Sequence, residues 1–223
     1  MAARKAQSLS NLKQLGMAWT LYLGDSDDVV MRAWTLGLGK TYYWWGSFDG
    51  TTLDAGEGLI YPYTKSQGVA IDPVFTNSMR TALQFNGYGY NYAYLSPSDY
   101  DMDYNEVPKP VNESAISQTA DTLLFLSAAR INNWAYSRPT LEGSALVDPP
   151  SADYPGFHGR NSEVGVIVWC DQHAKAVRPT LRVTDFGYGF KAVDFRNANL
   201  GDVLKPECPI KSDCEDWYYR LDK

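Results

Sequence analysis

The sequence predicts an α+β fold: a long N-terminal amphipathic helix packed on an antiparallel β-sheet, with elaborate loops. Three observations predict it. Leu9, Leu12, Leu15, Trp19, Tyr22 and Leu23 recur at helical spacing, while Arg4, Lys5, Gln7, Lys13 and Gln14 supply a polar face, so one stripe is built to be buried. Beyond that helix the pattern changes to short apolar runs separated by Gly, Pro and acidic turns, which is the layering of strands that follow a helix. Two of those runs, 164–169 and 174–178, flank Asp171-Gln172-His173 at the spacing of a β-hairpin.

The elements follow in order. The helix occupies residues 1–24 and stops at Gly24-Asp25-Ser26-Asp27-Asp28. Met1-Ala2-Ala3 offers no capping side chain, and Ala is a strong helix former, so the native helix is expected to extend further upstream. Residues 34–45 are rich in Gly and aromatics without a helical period and read as a loop with room for one short strand. Ala55-Gly56-Glu57-Gly58 opens a brief helical turn that Pro62 is expected to end. Residues 87–94 alternate aromatic with smaller side chains, as a strand or an extended loop on the sheet would. The compact run 123–126 reads as a central strand, and the 164–178 hairpin completes the sheet. Residues 97–110 and 142–155 are proline- and acid-rich connections, expected to be exposed. A single domain spans 1–223, with the sheet and its loops over 30–180 and a C-terminal extension over 181–223.

Composition narrows the partners. The 223 residues carry a formal net charge of −6 with scattered basic side chains, which disfavours nucleic acid. The sequence contains no apolar run of about eighteen residues and no signal-peptide pattern. Cys208 and Cys214 bracket the polar loop Pro209-Ile210-Lys211-Ser212-Asp213. A disulfide there would add roughly 2 kcal/mol in the chain-entropy model and imply an oxidising compartment. The alternative is a pair of free thiols in a reducing one. Cys170 ends the apolar run and reads as a free, buried thiol.

The N-terminal residues carry a resemblance. The run from Ala3 through Ala18, then Leu21-Tyr22 and Asp25 to Asp28, resembles the segment just after the membrane helix in pseudopilin-like proteins. That family carries a prepilin-type N-terminal methylation motif and a later His-x9-Asp-Gly segment. Further similar stretches are Gly58-Leu59-Ile60-Tyr61-Pro62-Tyr63-Thr64-Lys65, Gly87-Tyr88-Gly89-Tyr90-Asn91-Tyr92, Ala120-Asp121-Thr122-Leu123-Leu124-Phe125, and His158 with Asp171-Gln172-His173. Twelve residues separate His158 from Asp171, Gln172 stands where the pattern has glycine, and Asp72-Pro73 stands where the family often has Cys-Pro.

The resemblance implies a type IV pilin-like fold and a non-enzymatic structural subunit of a pilus-like or type II secretion-like envelope assembly. It implies partners of the same kind bound through the N-terminal helix, and an inner-membrane anchor upstream of this sequence. It also implies a location in the cell envelope, periplasmic or at the cell surface. His158 and Asp171 would then be structural, with the imidazole pinning a loop to the Asp171 turn. The runner-up is a surface carbohydrate-binding module that uses exposed Trp and Tyr, because clusters such as Tyr42-Tyr43-Trp44-Trp45 and Trp217-Tyr218-Tyr219 can stack on sugars or seal a loop-rich sheet.

Candidate chemistry is sparse, and no catalytic turnover or cofactor is expected. Asp99, Asp101, Asp103 and Asn105 place oxygen donors at alternate positions, as a calcium loop would, but an extended segment would merely set them on one solvated face. Asp213, Glu215 and Asp216 form a second acidic group near the C-terminus, where major pseudopilins carry a calcium loop; solvated charge is the simpler reading. His158, Cys170 and His173 match no zinc spacing. No nucleophile elbow accompanies the histidines, and Gly37-Leu38-Gly39-Lys40-Thr41 lacks the first glycine of a phosphate loop.

Overall fold

The structure is a computed structural model that describes residues 2–75, 87–187 and 189–223. Helix α1 runs Ala2–Asp25, so Met1, assigned to the helix by the sequence, lies outside the described residues. Strands β1 (Trp34–Gly37), β2 (Lys40–Tyr43), β3 (Gly46–Phe48) and β4 (Leu53–Asp54) form an antiparallel meander and lead to the short helix α2 (Tyr61–Thr64). Next come β5 (Tyr88–Tyr90), helix α3 (Tyr92–Leu95) and the hairpin β6 (Ser98–Tyr100) with β7 (Glu106–Pro108). The remaining elements are β8 (Leu123–Ser127), β9 (Ala129–Asn132), β10 (Thr140–Gly143), β11 (Phe157–His158), β12 (Gly165–Trp169), β13 (Ala174–Val177), α4 (Ala192–Asn197) and β14 (Leu200–Gly201).

The central sheet has the order β13-β12-β8-β5, antiparallel throughout, and α1 lies on it against β12, β13 and β8. Leu12, Leu15, Trp19 and Leu23 are buried with Leu124, Phe125, Val166 and Val168, while Leu9 and Tyr22 pack half-buried at the margin. Gly16 brings the helix close: a Cβ there would sit 3.1 Å from Val168 Cγ2. The opposite sheet face is also dry. Leu123, Leu126, Ile167 and Trp169 pack there with Val203 and Tyr219 from the 181–223 segment. Burial on both faces explains why β8 and β12 are continuous apolar runs without alternation. A register shift between Val168 and Trp169 skips Leu124, which joins Phe125 on the helix side.

Three expectations need correction. Residues 34–45 hold a hairpin rather than a loop, because Leu38 and Gly39 both take positive φ (49° and 75°), the backbone a tight two-residue turn requires. Pro62 lies in the first turn of α2 rather than ending a helix, since its missing N–H costs nothing there. Much of 142–155 is buried: Ala145, Val147 and Pro150 are all inside. Tyr90 N donates to Ala145 O (3.0 Å) and Val147 N donates to Tyr90 O (3.0 Å), so this segment pairs the backbone of β5 on the side away from β8.

Candidate functional site

Two polar residues interrupt the apolar face of α1, and both are buried and bonded. Ser8 Oγ donates to Asp72 Oδ1 (3.0 Å), and Asn11 Nδ2 donates to Ile71 O (3.1 Å). Asp72 is fully buried, caps its own turn by accepting from Val74 N (2.9 Å), and lies 3.7 Å from Nη1 of the buried Arg160. Asp72 is thus the anchor that fastens α1 to the loop beneath it. In contrast, Ala2, Ala3, Arg4, Ala6 and Gln7 are exposed, as are Met17 and Leu21 on the outer face.

The other residues named by the sequence are dispersed. Cys208 and Cys214 are joined, with Cα atoms 5.2 Å apart, and Cys170 is free and buried, its thiol pushed up by burial. His158 is in β11, opposite Leu200 of β14, and its imidazole bonds to the Ala198 backbone rather than to Asp171. Burial holds it well below the usual histidine range. Asp171 instead accepts from His173 N (3.0 Å), with His173 Nδ1 2.6 Å from the same oxygen. Gln172 has φ 72°, a left-handed backbone position in the turn between β12 and β13.

The first acidic group forms the β6–β7 turn. Asp101 accepts from Asp103 N (2.9 Å) and Asn105 N (2.8 Å), and Asp99 pairs with Lys109 (2.5 Å). In the second, Asp216 accepts from Ser151 N (2.9 Å), Ser151 Oγ (2.5 Å) and Tyr94 OH (2.7 Å), which latches the C-terminal segment to the loop that follows β10. Glu215 accepts from Lys211 N (2.7 Å), and Asp213 lines a shallow cavity beside them. Among the described residues, no three His, Cys, Asp or Glu side chains converge as a metal site.

One concave feature, which sets several aromatic rings beside opposite charges, was not visible in the sequence. A cleft of about 200 Å³ is lined by Tyr43, Tyr92, Arg130, Trp134, Asp148 and Tyr154, which come from four separate stretches of chain. Arg130 Nε donates to Glu142 Oε1 (2.5 Å), and its guanidinium carbon lies 5.5 Å from the centre of the Trp134 ring. Tyr92 OH donates to Asp148 Oδ1 (2.7 Å), Tyr154 OH donates to Ile131 O (2.8 Å), and burial pushes the Asp148 carboxyl up. Asn132 Oδ1 accepts from Trp134 N (3.2 Å) and Ala135 N (2.9 Å), fixing the loop that presents Trp134 at 61 % exposure. The one sequence signal was Trp134 itself, a large ring in the polar loop Asn132-Asn133-Trp134. Of the aromatic clusters the sequence singled out, Trp44, Trp45 and Tyr219 are buried and seal the core, while Tyr42, Tyr43, Trp217 and Tyr218 are half-buried.

The fold and these sites define an α+β protein whose long N-terminal helix is layered on an antiparallel sheet. Comparison with protein-family models, with curated proteins and with solved structures finds no match.

Proposed function

We propose that this chain is the globular part of a pseudopilin-like subunit, which acts by packing into an envelope assembly rather than by turnover. The observation that carries the reading is the division of α1. Its residues from Ser8 onward are fastened to the sheet by Leu12, Leu15 and Trp19 and to the loop beneath by the Ser8–Asp72 bond, while its first turns remain exposed. Such a helix holds a rigid domain at one end and offers the other to like helices. The Cys208–Cys214 bond supports an oxidising location, and an upstream apolar segment would supply the inner-membrane anchor. No helix among the described residues is itself long and apolar enough to cross a membrane.

N-terminal mass spectrometry of the protein isolated from its native cells tests the proposal. The expected result is a membrane-fraction protein with a methylated N-terminus and an apolar stretch ahead of Ala2. An unmodified protein beginning at Met1 and recovered in the cytosol would overturn it.

A further inference from the structure

We propose that the cleft between Tyr43, Tyr92, Arg130, Trp134, Asp148 and Tyr154 is a binding site for one neutral sugar ring of a glycan. This goes beyond the assembly role and does not depend on it.

Size sets the first limit. At about 200 Å³ the cleft is smaller than the roughly 300–1,000 Å³ of sites for drug-sized ligands, so it fits one ring of a ligand and leaves the rest outside. The lining sets the second. Three Tyr and one Trp give flat apolar surface, which suits the C–H face of a pyranose, and Arg130 and Asp148 give a donor and an acceptor for paired hydroxyls. A purely apolar ligand would desolvate both charged groups and add no hydrogen bond to those they already make.

Charge chooses among ring-sized ligands. Arg130 is already paired with Glu142, and Asp148 adds a further carboxylate, so an anionic sugar would meet net negative charge. An organic cation would find aromatic faces but would also face the Arg130 guanidinium, which already occupies the Trp134 ring. A neutral polyol pays neither cost. The site is also built in advance. Glu142 holds Arg130, Tyr92 holds Asp148, the Ile131 carbonyl holds the Tyr154 hydroxyl, and Asn132 holds the Trp134 loop.

Saturation-transfer NMR on the full chain tests the proposal, with methyl glycosides of the neutral hexoses and deoxyhexoses as probes and glucuronate and choline alongside. At least one neutral glycoside should show transfer that falls at least fivefold in both Trp134→Ala and Arg130→Met. Trp134 is exposed, so its variant should keep the parent melting temperature and report on binding alone. The proposal is overturned if no neutral glycoside binds, if binding survives both substitutions, or if glucuronate or choline is preferred.

Discussion

Asp72 joins more separate parts of the molecule than its neighbours do. It accepts from Ser8 on α1 and from Val74 in its own turn, and it faces Arg160 from the loop after β11. Asp72→Ala leaves a buried guanidinium without its counter-charge, so stability should fall by about 3–5 kcal/mol in urea denaturation. A cost below about 1 kcal/mol would show that Arg160 is solvated in some other way. His158 gives the stability a pH dependence. The folded protein holds it neutral, so the unfolded chain takes up the extra proton below about pH 6.5, and the stabilisation present above that pH is lost on acidification. Between about pH 7.5 and pH 5 the parent should lose more stability than His158→Gln, by up to about 1.4 kcal/mol per pH unit. Equal slopes would mean that His158 takes up its proton as readily in the folded state as in the unfolded chain. Little of this residue-scale detail was legible beforehand. Neither Ser8 nor Asn11 stands apart from the other polar residues of the helix in the sequence, because their partners lie dozens of positions away and only the fold brings them together.

At the scale of elements, local chemistry decided how far the sequence could be read. The apolar stripe of α1 and the buried runs of β8 and β12 were legible because period and composition are local properties. The β1–β2 hairpin was not, because its turn depends on Leu38 accepting a positive φ, which side chains resist and only the strand pairing compels. Segment 142–155 misled for a similar reason: proline and acid content signal a loop, yet this one is drawn inward to pair with Tyr90. Two glycines of α1 give an internal comparison. Gly16→Leu forces a side chain against Val168 and the Gln172 backbone and should destabilise by about 1–3 kcal/mol, whereas Gly24→Ala meets nothing within 4 Å and should stabilise by about 0.5–1 kcal/mol. Thermal melts of the two variants should therefore move in opposite directions. A shift of the same sign in both would mean that α1 does not sit this close to β12.

For the molecule as a whole, the C-terminal segment is part of the core. Val203 and Tyr219 cover the sheet face opposite α1, Asp216 latches to Ser151 and Tyr94, and the Cys208–Cys214 bond closes the loop between them. Reduction should cost about 2 kcal/mol, and thiol titration of the denatured, unreduced chain should find only Cys170. Three reactive thiols would place the protein in a reducing compartment and remove the support that the disulfide gives to an envelope location. The central claim is that α1 joins like subunits while the sheet carries the globular domain. Cysteine cross-linking in native membranes of the full-length protein tests it most directly, using Ala3→Cys and Ala6→Cys on the exposed turns and Met102→Cys, 97 % exposed on the β6–β7 hairpin, as the control. The α1 positions should yield a ladder of covalent oligomers and the hairpin position none. A monomer at every position, recovered without membrane, would contradict the account.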